Sequence, residues 1–268
     1  MDPIRLSLAA LAAMTALAGG APAQSLPEDL YRAELLPGWQ TSHGTRMAAL
    51  RLSLAQGWKT YWRAPGEAGI PPVFDWSGSE NLASVSYHWP APEVFEVSGY
   101  RIFGFHDELI LPIEFTARDP GKPIQAKAEV ALGICEEICV PVEFDVSGEL
   151  SGGKPDERIG RALAAGPRDA REAGLTAIRC AVEPIRDGLR LTATLTMPSL
   201  GKTEIAVIEA GAGDIWVSPA DTHREGDRLV SVVDLVPPAA KPFALDRSSV
   251  VVTVLGSGRA VQQAGCTG

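Results

Sequence analysis

Apolar and polar residues alternate with a period of two along most of this chain. Tyr31-Arg-Ala-Glu-Leu-Leu36, Arg46-Met-Ala-Ala-Leu-Arg-Leu-Ser-Leu54 and Ile110-Leu-Pro-Ile-Glu-Phe115 follow it in the first half, as do Ile124-Gln-Ala-Lys-Ala-Glu-Val-Ala-Leu132 and Val140-Pro-Val-Glu-Phe-Asp-Val146. Successive side chains on a strand point to opposite faces, so this pattern predicts strands with one face on a core. Pro37-Gly38, Gly78 and Asp119-Pro-Gly121 punctuate the runs as turns. Short strands at this spacing predict an antiparallel sandwich.

The pattern breaks at Ser147-Gly148 and Ser151-Gly-Gly-Lys-Pro155. A helix is expected from Pro155 to Ala165, with the proline in its first turn and Gly166-Pro167 as its stop. Alternation resumes in Ala177-Ile-Arg-Cys-Ala-Val182 and Leu189-Arg-Leu-Thr-Ala-Thr-Leu-Thr196, joined through the hairpin signal Asp187-Gly188. Glu204-Ile-Ala-Val-Ile208, Arg228-Leu-Val-Ser-Val-Val-Asp-Leu-Val236 and Ser249-Val-Val-Val-Thr-Val-Leu255 follow, and Gly256-Ser-Gly258 leads into a last strand ending near Cys266. The expected fold class is all-β: a first sandwich over 24–150, a short helical linker over 151–174 and a second sandwich over 175–268. Five of the six tryptophans lie in the first half, which marks that sandwich as the site of recognition or simply as the better packed one.

The N-terminus reads as an export signal over residues 1–23. Arg5 precedes the apolar stretch Leu6 to Leu17, and Ala21-Pro22-Ala23 is an A-x-A cleavage site, so a mature chain is expected to start near Gln24. No later segment reaches about eighteen uninterrupted apolar residues, so no membrane span is expected after cleavage. A formal net charge of −9, dispersed along the chain, argues against nucleic acid or an anionic membrane surface as partner.

Export places the four cysteines where disulfides persist. Cys135, Cys139, Cys180 and Cys266 allow three pairings, and proximity favours Cys135 with Cys139, leaving Cys180 with Cys266. A bridge across the very short Cys135–Cys139 loop restricts the unfolded chain little, whereas one from Cys180 to Cys266 would restrict it much more. The first is therefore better explained by redox chemistry and the second by structure. Strand Ile124–Leu132 runs into Cys135 and strand Val140–Val146 leaves Cys139, which puts the pair at or just inside a hairpin tip. There a partner's thiolate could make the in-line attack that exchange requires. Glu136 and Glu137, inside the loop, disfavour thiolate formation. The bland alternative is an inert bridge pinning a hairpin end.

Several motifs in the first half together resemble one family. They are Gly57-Trp-Lys-Thr-Tyr-Trp-Arg-Ala-Pro-Gly66, Gly69-Ile-Pro-Pro-Val-Phe-Asp-Trp-Ser77, Trp89-Pro-Ala-Pro92, Leu109-Ile-Leu-Pro112 and the Cys135/Cys139-Val-Pro141 segment. In this order, over about residues 30–148, they resemble the periplasmic N-terminal domain of the DsbD/ScsB thiol:disulfide interchange proteins. The second half resembles the additional immunoglobulin-like module of the ScsB branch, less distinctively. The resemblance implies immunoglobulin-like sandwiches and a periplasmic protein. It implies exchange through Cys135 and Cys139, with Cys139 as interprotein nucleophile and Cys135 as resolver. It also implies a cap loop within Glu93–Tyr100, with Phe95 or Tyr100 as the aromatic cover. Expected partners are a thioredoxin-like or membrane electron-transfer protein and periplasmic disulfide-containing clients. No organic cofactor is required, because the cysteine pair carries the two electrons.

Two departures qualify that reading. The family's membrane and thioredoxin-like domains have no counterpart here, so recharging is expected to come from a separate partner. The three-residue spacing between the cysteines also differs from that of some branches. Of the weaker constellations, His43, His88, His106 and His223 are scattered, and His106 with Cys135 and Cys139 would lack a fourth ligand for a soft metal. Lys59 beside Trp58 and Asp75 beside Trp76 are explained equally well by packing. The rival reading from another class is a non-catalytic periplasmic binding or chaperone-like module whose disulfides are structural.

Overall fold

The computed structural model describes residue 27, residues 29–211 and residues 214–268. The expected export signal over residues 1–23 lies outside the described residues. In the first half, ten strands follow one another: β1 (Tyr31–Gln40), β2 (Arg46–Leu54), β3 (Lys59–Gly66), β4 (Val73–Asp75), β5 (Leu82–Tyr87), β6 (Glu93–Val97), β7 (Tyr100–His106), β8 (Glu108–Ala117), β9 (Ile124–Cys135) and β10 (Cys139–Leu150). They form two antiparallel sheets, one in the order β1-β2-β8-β5 and the other β10-β9-β3-β7-β6, with β4 also paired to β9.

The alternation seen in the sequence closes a core between these sheets. Leu50, Leu52, Leu111, Ile113 and Phe115 from one sheet meet Ile124, Ala128, Val130 and Ile134 from the other, around a fully buried Trp62. Trp76 packs edge-on against Phe115 and donates its Nε1–H to Tyr87 Oη at 2.8 Å. Such aromatic contacts add to the area they bury.

After β10 the chain forms helix α1 (Glu157–Ala164). Asp156, not Pro155, sets its start: the Asp156 side chain accepts from the Arg158 backbone N–H at 2.8 Å, as an N-cap should. Pro155 therefore precedes the cap instead of occupying the first helical turn. The helix lays Ile159 onto Leu36, Met47 and Ala49, and so packs on the first sandwich.

The second half contains β11 (Arg168–Asp169), β12 (Ala177–Ile185), β13 (Gly188–Thr196), β14 (Ile205–Glu209), β15 (Trp216–Val217), β16 (Asp221–Glu225), β17 (Arg228–Val236), β18 (Val251–Gly256) and β19 (Arg259–Ala264). Its sheets run β11-β19-β18-β14 and β12-β13-β17-β15, with β16 also on β17. The pairing is antiparallel except between β11 and β19. Leu191, Leu195, Leu229, Leu235, Val252 and Val254 fill a core of aliphatic side chains. The chain is thus all-β, built as two immunoglobulin-like antiparallel sandwiches with one helix among the described residues.

The two halves are locked together at β3. The Arg63 guanidinium forms a fork on Glu209, with Nε and Nη2 each 2.9 Å from a carboxylate oxygen, and Nη2 also donates to Gln262 at 2.7 Å. Its cationic carbon lies 4.2 Å from the ring centre of Trp62. Such a planar fork, mostly removed from water, holds geometry as well as charge. Val207, Leu255 and Ala260 of the second half extend the first core across the same junction.

Candidate redox site at the tip of a hairpin

Strands β9 and β10 pair over twelve residues each, and the last rung of the ladder is Cys135 opposite Cys139. The two are disulfide-bonded with their Cα atoms 4.1 Å apart. Glu136-Glu137-Ile138 makes the connecting turn, closed by the Glu136 N–H donating to the Ile138 carbonyl at 3.1 Å. All three residues are exposed, as is Cys139, whereas Cys135 is only 3 % exposed. The bridge therefore joins an exposed residue to a buried one. This asymmetry arises because Cys135 ends an inner strand, flanked by β10 and β3, while Cys139 begins an edge strand.

Tyr61 on β3 completes the site. Its hydroxyl lies 2.8 Å from Cys135 Sγ and 3.1 Å from Cys139 Sγ. Disulfide sulfurs carry no proton, so the tyrosine is the donor. Burial pushes the Tyr61 hydroxyl above its ordinary pKa, which keeps the proton in place. The side chain reaches the sulfurs because β3 pairs with β9 only at Lys59 and Thr60 and then parts from it. Gly133 on β9 leaves the necessary room: a Cβ there would stand 3.0 Å from Tyr61 Cε2 and 2.9 Å from Ile70 Cβ.

The β6–β7 hairpin packs against this arrangement. Ser98 and Gly99, at φ of 52° and 83°, form its two-residue turn, the left-handed pair that a tight hairpin favours. Phe95 on β6 pairs with Ile102 on β7 and packs with Tyr61, Ile102 and Cys135 in one small apolar cluster. Tyr100, the other sequence candidate for a cover, is 51 % exposed and outside that cluster. Phe95 is itself held in place by neighbours: the His106 ring meets it edge-on and Lys59 Nζ stands 5.9 Å from its centroid. Lys59 also reaches the Glu136 carbonyl at 3.4 Å, so one cation spans cover and loop.

His106 is not turned to the sulfurs as a ligand; its Nδ1 pairs with Glu93 at 2.7 Å. Among the described residues no three His, Cys, Asp or Glu side chains converge to hold a metal ion. Sequence pattern alone assigns no role to Tyr61 or Gly133, although Tyr61 lies inside the Gly57–Gly66 motif. Their only signal would have been register, since each matters through the other strand.

Cys180 and Cys266 are bonded as well, with Cα atoms 5.7 Å apart. Cys180 on β12 is 1 % exposed, and Cys266 follows β19, so this link ties the two sheets of the second sandwich together. The Cys180 N–H donates to the Thr267 carbonyl at 2.7 Å, which fastens the C-terminal segment beside β12.

Residues 32–149 match the family described as thiol:disulfide interchange protein DsbD, N-terminal. The first sandwich belongs to that family. The crystal structure of the N-terminal periplasmic domain of ScsB from Proteus mirabilis is similar over 89 % of this chain and 92 % of that one, at a TM-score of 0.64 and 22 % identity, and shares the fold. The reduced DsbD N-terminal domain of Neisseria meningitidis aligns over 48 % of this chain and 94 % of its own, at 20 % identity and a TM-score of 0.27. No curated protein sequence matches this chain. Family and disulfides together point to thiol–disulfide interchange. Among the described residues no helix is long and apolar enough to cross a membrane.

Proposed function

We propose that this protein exchanges electrons with other proteins through Cys135 and Cys139, in the periplasm, as a relay between a thioredoxin-like or membrane-linked reductant and disulfide-containing clients. Residues 24–150 serve as the redox module, 151–174 as a linker and 175–268 as a second module whose Cys180–Cys266 bridge is structural. The observation that carries the reading is the asymmetric bridge: Cys139 exposed, Cys135 buried, and the Tyr61 hydroxyl on both sulfurs.

A donor thiolate attacks Cys139 Sγ, the bond to Cys135 breaks, and Cys135 leaves as a thiolate beneath the Tyr61 hydroxyl. A hydrogen bond to the charged form of a group favours that form, so Tyr61 eases this departure. The donor's second thiol then displaces Cys139, leaving the donor oxidised and both cysteines reduced. In the forward half, the Cys139 thiolate attacks a client disulfide and Cys135 resolves the mixed disulfide, so the client is reduced and the bridge reforms. Phe95 is the cover that must yield for access, because it lies in the apolar cluster with Cys135 while Tyr100 lies outside it.

Trapping tests the order of attack. A Cys135→Ala variant retains the attacking thiol but cannot resolve, and it is expected to accumulate mixed disulfides in a periplasmic extract, while Cys139→Ala accumulates none. Capture by Cys139→Ala alone would reverse the roles. Capture by neither would favour the non-catalytic binding module.

A further inference from the structure

At the end of β10 remote from the cysteines, roughly 35 Å along the strand at its usual rise, lies a cavity of about 260 Å³. The end of β1, the start of β2 and the first linker residues line it. Arg46 lines it and is only 6 % exposed. Its guanidinium makes one hydrogen bond among the described residues, from Nη1 to the Gly44 carbonyl at 3.0 Å. Its Nε is buried with no partner. Guanidinium offers five donors, and buried charges are ordinarily paired. Glu149 shares the lining, but its carboxylate accepts from Gln125 Nε2 at 2.9 Å and forms no ion pair with Arg46.

Other groups on the lining suit the same chemistry. Lys154 forms no ion pair among the described residues, and the N–H groups of Gly152 and Gly153 donate to no protein acceptor there. Gly152 stands at φ of 97°, a conformation that would strain any residue with a side chain. Trp39 also lines the cavity, just after a β-bulge between Pro37 and Trp39. The bulge depends on Gly38, whose missing Cβ would strike the Met47 carbonyl. The result is a local concentration of donors and positive charge in a chain of net charge −9.

We propose that this cavity binds a small oxyanion, a carboxylate or a phosphate, between Arg46 and Lys154, with Trp39 as its flat wall. Bidentate acceptance from a guanidinium suits either anion.

The test is titration of the full chain with inorganic phosphate and, separately, with acetate, against sodium chloride at equal ionic strength. Binding is read from intrinsic fluorescence and from the difference between wild type and Trp39→Phe. A saturable change with one anion is expected in wild type. It should be absent from Trp39→Phe and require at least tenfold more anion in Arg46→Gln. Lys154→Ala, on an exposed loop, should require severalfold more and covers the case in which Arg46→Gln fails to fold. Saturation by phosphate at lower concentration assigns a tetrahedral ligand, and by acetate a planar one. A response equal to that of chloride, or affinity unchanged in both charge variants, overturns the proposal. The distance from Cys135 and Cys139 makes either result independent of thiol exchange.

Discussion

The two disulfides of this protein are separated by 4 and by 86 residues in sequence, and their surroundings differ as sharply as their spans. Cys135–Cys139 closes the end of one hairpin within a single sheet, beside a buried tyrosine hydroxyl and the Phe95 ring. Cys180–Cys266 joins two sheets, with Cys180 sealed in an aliphatic core. In the chain-entropy account, closing loops of these lengths restricts the unfolded state by about 2 and about 4.6 kcal/mol respectively. Opening the first costs the fold little; opening the second removes a long-range constraint. On the proposed reading, the same bond is a reagent in one sandwich and a brace in the other, depending on loop length and access.

That contrast can be broken experimentally, most severely at the brace. Replacing both Cys180 and Cys266 by alanine is expected to lower unfolding free energy by about 4 kcal/mol, measured by urea denaturation, with thiol exchange intact. Replacing both Cys135 and Cys139 should cost about 2 kcal/mol or less and abolish exchange. Equal losses from the two double variants would erase the distinction.

A smaller effect is expected from Tyr61→Phe. Loss of a hydroxyl donor that favours the Cys135 thiolate should destabilise the reduced pair and move the bridge to a more negative potential. A tenfold change in the equilibrium corresponds to about 30 mV, and a glutathione titration would read it. An unchanged potential would make Tyr61 a packing residue only.

The smallest effect concerns the helix between the two disulfides. The Arg158 side chain, hydrogen-bonded to Asp156, lowers that carboxyl from 3.8 to about 2. Because the folded-state value is depressed, its stabilising contribution is fully present above pH 4 and is lost as the pH falls toward about 2. Asp156→Ala should therefore cost about 1 kcal/mol at pH 7, and its melting curve should converge on that of wild type as the pH approaches 2. A difference independent of pH would mean that the cap does not act through its charge.

Much of this contrast was legible in the chain. The alternating segments at 31–36, 124–132 and 140–146 lie within β1, β9 and β10, where one face meets a core and the other is more open to water, and the segment at 46–54 lies within β2, whose second face is covered by the helix through Ile159. Strands β3 and β7 escaped that reading. Thr60, Tyr61 and Trp62 on β3, and Ile102 to Phe105 on β7, are consecutively buried, so no period of two survives. Pro155 suggested a helix start one residue before the Asp156 cap that sets it. The cysteine pair could be read from its spacing, but Tyr61 could not. Its position depends on Gly133 across the sheet and on where β3 leaves β9, which is register information that no local pattern carries. The choice between Phe95 and Tyr100 was open for the same reason: both flank the hairpin turn, and only the packing of β6 against the cysteine end of the sheet separates them.

The most direct test is a redox titration in which each of the four cysteines is alkylated and quantified while folding is followed in parallel. Cys135 and Cys139 should become reduced together while the protein stays folded and Cys180–Cys266 remains bonded, at a potential above the roughly −300 mV below which structural bridges usually lie. Simultaneous reduction of both pairs, or a Cys135–Cys139 bridge that opens only on unfolding, would contradict the division of labour between them.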